Sequence, residues 1–184
     1  MIYTYNDCLN KYGSDYLIKK EIKEGKLFQK GKGIYSDKEY CSDLEIITIK
    51  YPRAIFSSES AYYYYGLTDV IPEKYYITTK RTDSRIANTA IQQLFVNEEL
   101  YDLGKTTMNY HGVTIHIYNK ERLLVDLIRM KSKMPFDYYK EIINNYRRIV
   151  DDLDFLNELL VRNPLPQLKQ VGVKHRFIDS HKCI

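Results

Sequence analysis

Residues 13–35 read Gly13-Ser14-Asp15-Tyr16-Leu17-Ile18-Lys19-Lys20-Glu21-Ile22-Lys23-Glu24-Gly25-Lys26-Leu27-Phe28-Gln29-Lys30-Gly31-Lys32-Gly33-Ile34-Tyr35, and the fold of the N-terminal part turns on them. Ser14 has the side-chain oxygen that satisfies a first-turn N–H, so a helix is predicted from about Asp15 to Glu24. Gly25 stops it, since glycine accepts the left-handed conformation that follows a helix. Leu27-Phe28-Gln29 and Gly33-Ile34-Tyr35 then read as short strands joined by Lys30-Gly31-Lys32-Gly33, whose glycines permit the positive φ of a tight hairpin. Upstream, Thr4 caps a helix with apolar residues at Tyr5, Cys8, Leu9 and Tyr12, spaced i, i+3, i+4, i+7. Gly13 ends that helix. Helix, glycine turn, helix and hairpin in this order make the minimal winged helix-turn-helix arrangement.

At 100° per residue, Tyr16, Lys19, Lys20 and Lys23 fall within one arc of about 100°, opposite Ile18 and Ile22. A helix that buries the isoleucines and offers three lysines and a tyrosine suits phosphate and groove contacts. The bland alternative is a solvated amphipathic helix. Lys30 and Lys32 of the hairpin stand where a wing lies along a phosphate backbone. Residues 1–38 hold eight lysines against five acids, which leaves them +3 of the chain's net +4. That charge step, with the polar stretch Ser36–Ser42, sets a boundary: a DNA-binding unit at residues 1–40, a second domain at 41–162 and a tail at 163–184.

Beyond the boundary, Leu44–Tyr51 is apolar and halted by Pro52, and either a strand or a helix fits it. Ser57 or Ser58 caps a helix through Tyr65, closed by Gly66. Tyr75–Thr79, Gln93–Asn97 and Gly112–Tyr118 read as strands, the last alternating through Val113, Ile115 and Ile117. Three helices follow, with stripes at Leu123, Leu124, Leu127 and Ile128, then Tyr139, Ile142, Ile143, Tyr146, Ile149 and Val150, then Leu153, Leu156, Leu159 and Leu160. The fold class expected is α+β: a shortened N-terminal winged helix-turn-helix, then a mixed α/β domain ending in three helices.

Composition narrows the function classes. The chain of 184 residues is 44% apolar and 14% aromatic, with 19 Tyr and no Trp, which argues against disorder. No apolar run approaches a membrane helix, and the N-terminus lacks a secretory pattern. Cys8, Cys41 and Cys183 are scattered and suit a reducing cytosol, so a cytoplasmic protein without a membrane partner is expected. Catalytic sets do not assemble. Gly13-Ser14 lacks the following paired carboxylates of a nucleotidyltransferase, and Glu21-Ile22-Lys23 sits on a helix instead of the strand a nuclease needs. Gly31-Lys32-Gly33 is too short for a phosphate loop. His111 and His116 fall on opposite faces of a strand-like segment, Asp102 and Asp126 are isolated, and His175, His181 and Cys183 form no zinc set. A non-enzyme with no catalytic residues, metal or cofactor is expected.

A second surface is a candidate for contact with a protein partner or nucleic acid. The run Tyr62–Tyr65 occupies every side of one helical turn, so Tyr63 and Tyr64 are candidates, against a core-packing alternative. Lys80, Arg81 and Arg85 make a basic loop, and Lys140, Arg147 and Arg148 a basic helix face.

The stretch from Gly13-Ser14-Asp15-Tyr16-Leu17 through Glu24-Gly25-Lys26-Leu27 to Gly31-Lys32-Gly33-Ile34-Tyr35 resembles the winged helix of AbiEi-type antitoxins, which are transcriptional regulators of abortive-infection (phage-defence) loci. Tyr51-Pro52-Arg53-Ala54-Ile55-Phe56-Ser57, Ser60-Ala61 and Tyr65-Gly66-Leu67 resemble the start of their second domain. Tyr110-His111-Gly112-Val113-Thr114-Ile115 and Lys120-Glu121-Arg122-Leu123-Leu124-Val125-Asp126-Leu127 are similar to the family's strand and Arg-containing helix. The likeness runs in order over about residues 5–160. It implies operator DNA as one partner and repression of an antitoxin–toxin operon. It also implies antitoxin action by the second domain against a nucleotidyltransferase-like toxin encoded by the adjacent gene. One departure is plain: a complete winged helix carries another helix before the turn motif, and about four residues precede Tyr5 here.

Overall fold

The computed structural model describes residues 1–147, and they form a mixed α+β protein with two sheets. Contacts divide the chain into Met1–Ala54 with Thr107–His116, and Ile55–Thr106 with the residues from Ile117 on. The boundary expected at 40/41 falls inside the first unit, between the strand Ile34–Ser36 and the helix Asp43–Lys50. The helix after Met134, expected to run to Val150, is described to Tyr146. The third helix, Arg148 and the tail at 163–184 lie outside the described residues.

The first unit begins with a strand that the hydrophobic pattern did not reveal, β1 (Ile2–Thr4). Then come α1 (Tyr5–Tyr12), α2 (Asp15–Lys23), β2 (Phe28–Gly31) and β3 (Ile34–Ser36), with sheet order β1-β3-β2, all antiparallel. Thr4 and Asp7 close a reciprocal capping box at the start of α1. Gly13, at φ 82°, ends it in the left-handed conformation, its N–H donating to the Leu9 carbonyl. Ser14 caps α2 as expected, its Oγ accepting from the Leu17 N–H. Cys8, Ile18, Leu27 and Tyr35 pack together, with Tyr3, Tyr12 and Ile22 around them. The ambiguous segment is a helix, α3 (Asp43–Lys50), capped by Ser42 and packed on β1. Pro52 follows its end, where the missing N–H costs no helical bond.

The second sheet has the order β6-β5-β4-β8-β7. Its strands are β4 (Ile55–Phe56), β5 (Tyr75–Lys80), β6 (Ile91–Val96), β7 (Lys105–Tyr110) and β8 (Val113–Tyr118). β4 runs antiparallel to β5 and parallel to β8, and β5 is parallel to β6. The hydrophobic pattern gave no sign of β7, whose Lys-Thr-Thr-Met-Asn-Tyr lacks an apolar alternation. His111 is not in a strand: with φ 48° it forms the β7–β8 turn alongside Gly112. Residues 81–90 join the parallel pair without a helix. The Gln93 amide secures them, accepting from the Ile86 N–H and donating to Thr79 Oγ1 and the Ser84 carbonyl.

Helix α4 (Ser58–Tyr64) follows Ser57, whose hydroxyl bonds Thr78 Oγ1 at 2.7 Å rather than capping the helix. A short α5 (Glu98–Tyr101), α6 (Lys120–Met130) and α7 (Phe136–Tyr146) complete the described helices. The buried residues Leu123, Leu124 and Leu127 of α6 and Ile142 and Tyr146 of α7 lie on the stripes read from the sequence. Arg122, on the same helix as the leucines, is only 1% exposed. Its Nε donates to Asp126 at 2.9 Å, another guanidinium nitrogen donates to the Leu100 carbonyl at 3.0 Å, and the group lies 5.0 Å from the Tyr118 ring centre. Asp126 is thus not an isolated acid.

Candidate nucleic-acid interface

The capped turn between α1 and α2 fixes the orientation of α2, and burial of Ile18 decides which face points outward. Tyr16 is 75% exposed and Leu17 41%. Lys19, Lys20 and Lys23 are exposed too, so the predicted face is presented as one surface. Its charge is more balanced than the lysines alone suggest. The ammonium of Lys19 lies 2.7 Å from Asp15, and Lys20 lies 3.8 Å from Glu24. Lys26 bonds Glu24 and holds its carboxyl below the usual range. Asp15, Glu21 and Glu24 equal the three lysines of this helix in number. A polyanion therefore meets a patterned face and not a uniform positive field.

The hairpin separates its two lysines. Gln29 pairs with Tyr35 and Gly31 with Ile34, which leaves Lys30 as the extra residue of a bulge. Half-buried Lys30 turns its ammonium onto the Glu39 carbonyl and 5.4 Å from the Phe28 ring centre. Lys32 stays exposed in the turn. The residue pattern put both at the edge of the wing; the bulge keeps only Lys32 there.

The other candidates fall into separate groups. Tyr64 is half-buried and meets Phe56 edge-on at 5.5 Å, with Tyr63 6.1 Å away. Tyr62 is buried, so this turn serves packing first. Lys80 bonds Glu98 at 2.6 Å and lies 5.4 Å from the Tyr101 ring centre. Arg81 and Arg85 are exposed on the segment that Gln93 secures. Lys140 and Arg147 are exposed seven residues apart on α7 and its cap, hence on one face.

Tyr5 does not sit where its spacing suggests. Assigned by periodicity to the apolar stripe of α1, it is 38% exposed, beside the wing turn. Only the strand before it, β1, explains that position. No group of three His, Cys, Asp or Glu side chains suited to a metal occurs among the described residues, and no helix there is long and apolar enough to cross a membrane. No family model matches the chain, and no curated protein matches it significantly.

Proposed function

We propose that the chain is a DNA-binding transcriptional repressor with a shortened winged helix-turn-helix, and that it also acts as an antitoxin of the AbiEi type. The observation that carries the DNA-binding reading is the arrangement β1-α1-α2-β2-β3 with sheet order β1-β3-β2 and an outward Tyr16/Lys19/Lys20/Lys23 face. Two helices followed by a hairpin whose second strand lies beside β1 support the winged-helix reading. In the proposal α2 enters the major groove, where Tyr16, Leu17 and the lysines reach bases and phosphates, and Lys32 follows the backbone from the wing. The antitoxin half rests on the sequence resemblance. It assigns the second unit, with Arg81, Arg85, Lys140 and Arg147 on its surface, to counteracting a nucleotidyltransferase-like toxin encoded beside it in the cytoplasm.

Binding of the full chain to the DNA upstream of its operon tests the first half. Replacing Lys20 and Lys23 together by Ala should lower affinity. It should also flatten the slope of log K against log salt by about one unit for each phosphate no longer neutralised. Unchanged affinity and slope at matched salt would remove α2 from the interface.

A further inference from the structure

Three pieces of the first unit converge beside α2. The backbone N–H of Tyr5 donates to the Gly33 carbonyl at 2.9 Å, which ties the first residue of α1 to the wing turn. A methyl group built on Gly33 would sit 4.0 Å from Tyr5 Cβ, so the tyrosine leaves the backbone directly against that turn. Asp15, 2.7 Å from the Lys19 ammonium, raises it above the usual lysine value, and Tyr5 and Tyr35 add smaller contributions in the same direction. Tyr35 is buried at the base of this junction, and burial pushes its hydroxyl up. At the start of α1 the Thr4 and Asp7 N–H groups are engaged in the capping box and the Tyr5 N–H in the bond to Gly33. The Tyr5 hydroxyl makes no hydrogen bond among the described residues, Tyr5 is 38% exposed, and its side chain starts beside the glycine turn that carries Lys32.

Donors of this kind, a phenol O–H and two ammonium groups around a small-residue turn, suit a phosphodiester oxygen. We propose that Tyr5, with Lys19 and the Lys32–Gly33 turn, clamps a DNA phosphate between α2 and the wing, and that Asp15 competes with that phosphate for Lys19. The clamp rests on the DNA-binding reading above and adds to it a positioning residue and an opposing carboxylate. Phosphate contacts set register without reading sequence, so the clamp acts equally on all duplexes. Asp15 has two opposed effects. At the first turn of α2 its charge favours the helix, while its hold on Lys19 and its repulsion of phosphate weaken binding. Removing that charge therefore shifts stability and affinity in opposite directions. A gain in affinity cannot then arise from a better-folded protein.

Fluorescence anisotropy of the full chain on a labelled promoter duplex and on an unrelated duplex reads this out. Tyr5→Phe keeps the ring and its packing, and it should weaken binding about tenfold on both duplexes, the worth of one hydrogen bond to a charged group. Asp15→Asn should tighten binding about threefold on both, an advantage that shrinks as salt screens the pair. Wild-type affinity in Tyr5→Phe, or no gain in Asp15→Asn, overturns the clamp while wild-type binding leaves the DNA reading standing. Failure of the wild-type chain to bind either duplex overturns both.

Discussion

Gly104 shows how one missing side chain can hold a helix start in place. Its φ is 76°, and a Cβ there would lie 2.6 Å from Arg122 Cβ and 2.7 Å from Asn119 Oδ1. Asn119 caps α6 through that oxygen, and its own N–H donates to the Gly104 carbonyl at 2.7 Å. Gly104→Ala therefore combines backbone strain with a clash against backbone-proximal atoms. Gly13, at φ 82°, has nothing within 4 Å of such a Cβ and carries the strain alone. We expect Gly13→Ala to cost about 1 kcal/mol and Gly104→Ala about 3 kcal/mol or more in chemical denaturation. Equal losses would show that the space at Gly104 is not tight. At the same scale, Lys30 and Lys32 illustrate that identical residues two positions apart part company when a bulge intervenes.

The elements differ in how much of them was legible beforehand. α1 and α2 each start at a residue whose side chain bonds the first turn (Thr4 and Ser14), and such caps act over three residues, within reach of a sequence pattern; α3 has the same kind of cap in Ser42, but its apolar run fitted strand and helix alike. The outward face of α2 was legible for the same reason, since the buried Ile18 fixes the rotation of the whole helix. β1 was not: three residues carry no periodicity, and its identity comes from pairing with β3, 34 positions away at Ile2 and Ser36. Missing β1 hid the exposure of Tyr5 and so the meeting of α1 with the wing. The Arg122–Asp126 pair had the i,i+4 spacing of a surface ion pair, and only the packing of Tyr118 and Leu100 reveals its arginine as buried.

Helices α4 and α7 carry a testable consequence of their tyrosines. Burial pushes the hydroxyls of Tyr62 and Tyr146 well above the usual phenol range, and Tyr65 is raised to about 12. Tyr62 donates to the Leu123 carbonyl, while the Tyr146 hydroxyl is buried with no hydrogen-bond partner among the described residues. A raised folded pKa means that the folded chain keeps protons the unfolded chain has released. The stabilisation is complete below the phenol value near 10 and is lost as pH rises toward the folded values, each buried tyrosine removing about 1.4 kcal/mol per pH unit. Alkaline titration followed by phenolate absorbance should thus show exposed tyrosines ionising first. A later, cooperative step should coincide with loss of far-ultraviolet circular dichroism. Smooth, single-phase ionisation with the fold intact would contradict the burial of these groups.

For the molecule as a whole, the proposed function divides between the two units. Repression needs the α2 face and the wing; antitoxin action, on the resemblance, needs the second unit. The full chain carrying Lys20→Ala and Lys23→Ala should lose promoter repression in a reporter assay and still protect cells that co-express the partner toxin. Charge reversal at Arg81 and Arg85 should do the opposite, because neither residue lies near α2 in the chain or packs in a core. Loss of both activities in either variant would end the division of labour. An operon with no toxin gene beside this one would leave a plain transcriptional regulator.

The pairing of β1 with β3 also orders events in time. Its two partners are separated by both helices and β2, so the sheet's outer edge cannot close until the hairpin has left the ribosome. α1–α2 and β2–β3 are joined by short connections and can form within microseconds, whereas β1 must close a loop across both helices and β2 to reach β3. β1 is therefore the last strand of this sheet to find its place, and α3, which packs on β1, waits for it. A nascent chain would carry its helix-turn-helix assembled before the strand that aims Tyr5 at the wing is seated.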